Sequence, residues 1–166
     1  EKTAFYNLLE QNKMLGNGFS PPMKTPVAYA HDLGLLDRTT LSVHCVKVSD
    51  KDIEILSDTG TNICLCPRSN AFINVGRAPW EKIMDSGINV SLGTDSIASN
   101  YDLNLWNELE YFIQRFDRKI TISDAIALIT CNPAKALLMN DKLGTLEKGK
   151  VMRYAIMPEQ ISALIK

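Results

Sequence analysis

The sequence lacks an excess of either charge, a long apolar run and a leader-like N-terminus. Its 18 basic and 19 acidic residues are spread along the chain and give a net charge of -1, which disfavours nucleic acid and anionic membrane surfaces as partners. No apolar stretch reaches the ~18 residues of a spanning helix, and the opening EKTAFYNLLEQ lacks the basic-then-apolar order of a signal peptide. We therefore expect a cytoplasmic protein that acts on small neutral molecules.

Internal repeats, low-complexity segments and linkers are also lacking, so the 166 residues, 45% of them hydrophobic, predict one domain with a sizeable core. The four cysteines lie in apolar surroundings, which favours buried thiols over disulfides. Cys64 and Cys66 face the same way on a predicted strand. Their spacing is not that of a structural zinc site, and a second cysteine pair is missing, so zinc at this pair is not favoured.

Apolar strand candidates alternate with helix candidates in the middle of the chain. The strands are predicted at residues 41–46, 62–66 and 88–92, and the helices at 50–60, after the capping residue Ser49, at 78–87 and at 102–116. Further helices are predicted at residues 1–15 and 26–36, after Ser123 and from Pro133, and LGTLEKGK predicts a turn between short strands. Because parallel neighbours need crossover connections, this order predicts an α/β fold with a parallel sheet.

Polar side chains follow each of the three predicted strands. They are His44 in VHCV, the segment CPRSN at 66–70, and Asp95 in GTDS. The carboxyl ends of parallel strands meet at one rim, which is where α/β folds place their chemistry. Taken singly, His44 is as consistent with a hydrogen-bonded core residue, and Asp95 with a helix cap or turn. Together they predict a site.

Three residues near these strand ends are candidates for substrate binding, namely Arg68, Asn70 and Ser96. For Arg68 the sequence leaves two roles open, a contact with substrate or a salt bridge that supports its loop. Ser99 and Asn100 are predicted to cap the helix that starts near residue 102.

The segments LSVHCV, CPRSNAFINVGRAPWEKIMDSGINVSLGTDSIASN, ITCNPAKAL and LGTLEKGK, in this order, resemble the metal-dependent amidohydrolases. The similarity is to the chlorohydrolase and aminohydrolase branch, which includes S-adenosylhomocysteine, methylthioadenosine, guanine and aminofutalosine deaminases. It covers residues 26–150 and implies the C-terminal part of a (β/α)8 TIM barrel, with about the last three strand-helix units.

The resemblance also implies a divalent metal, zinc or iron, and a role for two residues. Asp95 matches the metal-ligating aspartate of the eighth strand, and His44 matches the histidine of the sixth strand, which contacts the metal-bound water or the substrate. In the implied chemistry the metal would lower the pKa of its water, hydroxide would attack a ring carbon that bears an amino or chloro group, and Asp95 would relay the proton to the leaving group. The implied reaction is deamination or dechlorination of a purine- or triazine-like heterocycle.

The family needs at least four histidines at its metal centre, and this sequence has two. The resemblance therefore predicts a C-terminal fragment, inactive and metal-free by itself, with residues 1–150 as a partial barrel domain and 151–166 as a C-terminal extension. Open sheet edges would be covered by the missing N-terminal half or by a second copy of the chain. Two alternatives stay open: a non-catalytic α/β assembly or binding unit, and a cyclic-amide hydrolase of the same superfamily.

Overall fold

The computed structural model of the chain describes residues 3–164, so the first two residues of the predicted N-terminal helix lie outside the described range. The helices are α1 (Ala4–Gln11), α2 (Pro26–Asp32), α3 (Asp50–Asp58), α4 (Pro67–Phe72), α5 (Trp80–Asp85), α6 (Leu105–Arg115), α7 (Ile122–Ala127), α8 (Cys131–Ala136) and α9 (Glu159–Leu164). The strands are β1 (Leu41–Val43), β2 (Asn62–Leu65) and β3 (Val90–Leu92). Within residues 3–164, no helix is long and apolar enough to cross a bilayer.

The three strands form one parallel sheet in the order β1-β2-β3. Leu41 pairs with Asn62 at one side of β2, and Ile63 pairs with Val90 at the other. Helices connect successive strands, as parallel pairing requires. The predicted α/β class with a parallel sheet is confirmed.

Local capping explains where several helices begin. Ser49 caps α3 in a full capping box, since its side chain accepts from the backbone of Asp52 and the Asp52 carboxylate accepts from the backbone of Ser49. The prediction that Ser123 caps the next helix after α6 is wrong, because Thr121 is the N-cap of α7. Pro133 does not start a helix either. It lies in the first turn of α8, where its missing N–H removes no helical hydrogen bond.

Two strand ends differ from the prediction. The first strand ends at Val43 rather than at residue 46, because His44 and Cys45 have φ angles of 67° and 49°, which a strand does not accommodate. The segment CPRSN, predicted as a loop, begins helix α4 with Pro67 in its first turn. The residues after β2 are therefore held by a helix.

The hydrophobic core lies between the sheet and the helices. Ile63 and Leu65 of β2, together with Leu92 of β3, are at most 3% exposed. Leu109 and Phe112 of α6 belong to the same cluster and are fully buried. Burial of this apolar area fixes α6, and with it the loop that connects α6 to β3.

The C-terminal part packs on this core without the predicted short strands. LGTLEKGK forms turns, closed by a backbone hydrogen bond of 2.9 Å from Val151 N–H to the Lys142 carbonyl oxygen, and no strand is assigned at residues 137–158. Ile161 of α9 is fully buried within the core cluster. The boundary at residue 150 stays a prediction.

Candidate active site

His44 and Asp95 meet above the carboxyl edge of the sheet. His44 directly follows β1, and Asp95 comes three residues after β3. These strands flank β2 on opposite sides and so are separated by about 10 Å, yet Nε2 of His44 lies 3.9 Å from Oδ2 of Asp95. Both side chains are about one third exposed. They face a common, accessible space.

Left-handed backbone conformations direct these two side chains. His44 has a φ of 67° and Asp95 a φ of 59°. Histidine and aspartate tolerate this region better than most residues, but it is disfavoured for any residue with a Cβ. Such strained positions are concentrated at functional sites, where the surrounding fold holds them.

Two adjacent residues at the start of α4 orient the pair. Ser69 Oγ donates to Asp95 Oδ2 at 2.7 Å, and Asn70 Oδ1 lies 3.0 Å from Nδ1 of His44. With the amide oxygen of Asn70 as acceptor, Nδ1 carries the imidazole proton, and Nε2 is the nitrogen that faces Asp95. Ser99 Oγ also donates to Asp95 Oδ2 at 2.7 Å.

These hydroxyl groups affect the charge state of Asp95. The hydrogen bond from Ser69 and then that from Ser99 hold the pKa of the Asp95 carboxyl below its usual value. A carboxyl with a lowered pKa in the folded state stabilises the fold fully above its unfolded pKa. This stabilisation is lost as the pH falls through the folded pKa. Asp95 is thus ionised at neutral pH, as a metal ligand or proton acceptor must be.

Ser69→Ala is expected to raise the pKa of Asp95. Of the two hydroxyl hydrogen bonds to the ionised carboxylate, the one from Ser69 lowers this pKa more. A carbon-13 NMR titration of the Asp95 carboxyl measures this shift. Ser162→Ala, which removes only a hydrogen bond to the carbonyl oxygen of Glu159 in α9, serves as the control. An unchanged Asp95 pKa in Ser69→Ala would show that the hydroxyl does not control the charge.

Arg68 is held by acidic side chains. Its Nη1 and Nη2 each donate to one oxygen of the Asp102 carboxylate, at 2.8 Å, and Nη1 lies 3.7 Å from Oε1 of Glu108. The pair with Arg68 keeps the pKa of Asp102 well below its usual range. Of the two roles that the sequence left open for Arg68, the structure shows the salt bridge. A contact with substrate stays a prediction.

Asn100 has a different role from the predicted helix cap. Its side chain donates to the Thr94 carbonyl oxygen at 2.7 Å and to Glu108 Oε1 at 2.6 Å. The N-cap of α6 is Asn104, whose side chain accepts from the backbone of Trp106. Asn100 therefore connects the loop after β3 to α6.

The sequence patterns did not indicate that Ser69 and Ser99 are partners of Asp95 or that Glu108 is a buried carboxylate beside them. A signal for Glu108 was present, because it lies on the helical face that also carries Leu105, Leu109 and Phe112. An acidic residue on an apolar face needs a partner. The predicted substrate residue Ser96 is exposed, and its hydroxyl lies 3.2 Å from that of Ser99.

The loop that bears Asp95 leaves β3 through Gly93, where space is very limited. A Cβ on Gly93 would lie 2.7 Å from the Cys64 sulfur and 3.6 Å from that of Cys66. Glycine is thus required by close approach. The four cysteines are free thiols, as predicted, with Cys45 and Cys66 buried and Cys64 and Cys131 partly buried.

The donor groups that the structure describes do not complete a metal site. Among residues 3–164, no group of three or more His, Cys, Asp or Glu side chains is arranged to hold a metal ion. A zinc site uses three or four protein ligands. His44 and Asp95 are of the right chemical type, and any further ligands would have to come from outside the described residues.

The parallel sheet carries these residues at its carboxyl edge, which is where α/β barrels place their active sites. A profile of the amidohydrolase family matches residues 6–157. The chain belongs to the amidohydrolase family.

A curated relative is 36% identical over 148 residues, the 5-methylthioadenosine/S-adenosylhomocysteine deaminase of Thermoanaerobacter pseudethanolicus. The match covers 85% of this chain and 34% of the relative. The chain spans about a third of the length of the curated relatives it matches.

Two solved structures share the fold. A zinc-bound adenosine deaminase from Xanthomonas campestris superposes with a TM-score of 0.72 at 24% identity, over 90% of this chain and 34% of that one. Atrazine chlorohydrolase TrzN from Arthrobacter aurescens, complexed with zinc, has a TM-score of 0.69 at 25% identity, over 76% of this chain and 29% of that one. These likenesses confirm the predicted partial barrel.

Proposed function

We propose that this chain is the C-terminal part of a metal-dependent aminohydrolase that deaminates a purine-type heterocycle. The observation that carries the proposal is the approach of His44 Nε2 to within 3.9 Å of Asp95 Oδ2 at the carboxyl edge of a parallel sheet. The deaminase names of relatives such as the one at 36% identity support it.

Asp95 is proposed as one ligand of a divalent metal, zinc or iron. A bound metal of this kind supplies a water molecule of lowered pKa. Because the described residues do not complete such a site, the remaining ligands are proposed to lie in an N-terminal half of the barrel. That half would also cover the outer edges of β1 and β3.

The residues of this chain would handle the protons. Asp95, ionised through its hydrogen bonds to Ser69 and Ser99, accepts a proton from the attacking water and passes it to the leaving nitrogen. The water oxygen bonds to the ring carbon, the carbon–nitrogen bond breaks and ammonia leaves.

His44 would stabilise the attacked centre. Since Asn70 holds the proton on Nδ1, Nε2 is the nitrogen that interacts with the reacting atoms. From this nitrogen the imidazole is proposed to stabilise charge that develops on the attacked ring. Exposed Ser96 is a proposed substrate contact, as are Asn70 and Arg68, although both are already engaged with protein groups.

The proposed setting is the cytoplasm, with a small heterocycle as substrate and neither nucleic acid nor membrane as partner. The net charge of -1 disfavours nucleic acid and anionic membrane surfaces as partners. Assembly with a second copy of the chain through the sheet edges is the alternative to pairing with the N-terminal half.

Dechlorination of a triazine-like ring is the second candidate, favoured by the structural likeness to atrazine chlorohydrolase. The same water attack would then expel chloride instead of ammonia. For the chain by itself, the incomplete donor set favours a catalytically silent unit.

An assay of product release distinguishes these functions. We expect the full-length polypeptide, loaded with zinc, to release ammonia from S-adenosylhomocysteine or methylthioadenosine, and the 166-residue chain to release none. Release of chloride from atrazine without ammonia from either nucleoside would favour the second candidate. Zinc-dependent turnover by the 166-residue chain would contradict the inferred ligand count.

A further inference from the structure

Glu108 of α6 is a fully buried carboxylate near the candidate site. A buried carboxylate requires hydrogen-bond partners, and burial raises the pKa of Glu108. Each oxygen has its own hydrogen-bond donor, and Oε1 also forms an ion pair with Nη1 of Arg68 at 3.7 Å. Oε1 accepts from the Asn100 side chain at 2.6 Å, and Oε2 accepts from the backbone N–H of Arg68 at 3.1 Å.

The first of these contacts leads to Asp95. The Asn100 amide that donates to Glu108 also donates to the carbonyl oxygen of Thr94 at 2.7 Å. Thr94 directly precedes Asp95, whose left-handed φ of 59° needs external support. Through Asn100, Oε1 of Glu108 therefore restrains the backbone next to Asp95.

The second contact leads to the partners of both site residues. The Arg68 N–H lies in the first turn of α4, where it has no acceptor within the helix. The next two residues are Ser69, which donates to Asp95, and Asn70, which accepts from His44. The other oxygen of Glu108 therefore fixes the segment that orients the imidazole and the carboxylate.

We propose that Glu108 is a positioning residue for the reaction, because its two oxygens join the loop after β3 to the start of α4 and so set the distance between His44 and Asp95. This inference rests on the proposed function. A purely structural role explains the arrangement less well, since a buried ion pair is often no more stabilising than apolar residues of the same volume.

Glu108→Gln tests the inference in the full-length polypeptide loaded with zinc. Glutamine keeps the size of the side chain but has one accepting oxygen, so one of the two contacts is lost. Misplacement of reacting groups by 1 Å can lower rates by about 100-fold. We expect kcat to fall by about 10- to 100-fold, with KM changed less than about threefold.

The matched control is Glu110→Gln, two residues further along α6, where the side chain accepts from Gln114 of the same helix at 3.0 Å. It should leave kcat unchanged. Asn100→Ala removes the contacts to Thr94 and to Oε1 of Glu108, leaves the contact from the Arg68 N–H to Oε2, and should also lower kcat. Glu108→Gln and Asn100→Ala break the same linkage. The fall in kcat of the double variant should therefore be smaller than the product of the two separate falls.

Nitrogen-15 amide shifts give a readout that is independent of catalysis. In Glu108→Gln we expect changes at Ser69, Asn70 and Thr94, and in Asn100→Ala changes at Thr94 and Asp95. If the parent polypeptide has no hydrolase activity, the proposed function fails, while these shifts still report whether Glu108 joins the two segments.

Two results would overturn the inference. The first is an unchanged kcat per folded enzyme together with a lower unfolding midpoint, which would make Glu108 a purely structural residue. The second is a set of shift changes confined to α6. If Glu108→Gln does not fold, Asn100→Ala alone decides, and unchanged turnover in that variant contradicts the inference.

Discussion

Asp95→Asn is expected to lower kcat for deamination by about 100- to 10,000-fold in the zinc-loaded full-length polypeptide. Asparagine preserves the shape of the side chain, but it removes the negative charge and the ability to accept and return a proton. The hydroxyls of Ser69 and Ser99, which hold Asp95 in its ionised form, would then have no carboxylate to stabilise. Steady-state ammonia release measures kcat, and metal analysis measures the zinc that each preparation retains.

Asp141→Asn is the matched control, because Asp141 is exposed in the turn after α8. This variant should turn over like the parent. Unchanged turnover in Asp95→Asn, with bound metal retained, would refute the role proposed for Asp95. Loss of both the bound zinc and the turnover would agree with a metal ligand that also transfers the proton.

Phe112→Ala is expected to destabilise the fold by about 3–5 kcal/mol. The Phe112 ring is fully buried, with its centroid 5.0 Å from those of both Trp80 and Phe116. Truncation leaves a cavity between α6 and α5 and removes two aromatic contacts. Urea unfolding followed by circular dichroism gives the midpoint, which should fall clearly below that of the parent.

Phe5→Ala provides the comparison, since Phe5 is 67% exposed. Its free energy of unfolding should stay within about 0.5 kcal/mol of the parent. If Phe112→Ala does not fold, Phe112→Leu replaces it. Its unfolding midpoint should lie below that of Phe5→Ala. A midpoint for Phe112→Ala equal to that of Phe5→Ala would show that the ring contributes little to the core.

Much of the fold could be predicted because local signals agree with tertiary packing. The apolar runs that contain Ile63 and Val90 became neighbouring parallel strands, and Ser49 began α3 with the expected cap. One error lies where two local signals compete. Thr121 and Ser123 can both cap a helix, and the three-residue spacing from Thr121 to Asp124 selected the earlier start.

That His44 and Asp95 lie together could be predicted from the sequence, but the hydrogen bonds that orient them could not. His44 and Asp95 follow apolar strands, and parallel pairing is enough to bring such residues to one edge. Ser69 orients Asp95 and Asn70 orients His44, because both residues lie in α4. The sequence pattern at Pro67 indicated a loop and not the start of this helix. The buried partners of Glu108 depend on packing between segments 40 residues apart, such as the contact to Arg68, which no local pattern encodes.

The left-handed backbone at His44 and Asp95 implies a trade-off between thermal stability and activity. Each such residue costs the fold about 1–2 kcal/mol that glycine would not. His44→Gly would relieve this cost but remove a reacting group, and Asp95→Gly would also remove the ionised carboxylate that accepts from Ser69 and Ser99. Substitutions that raise the melting temperature without loss of activity therefore have to lie away from the carboxyl edge of the sheet.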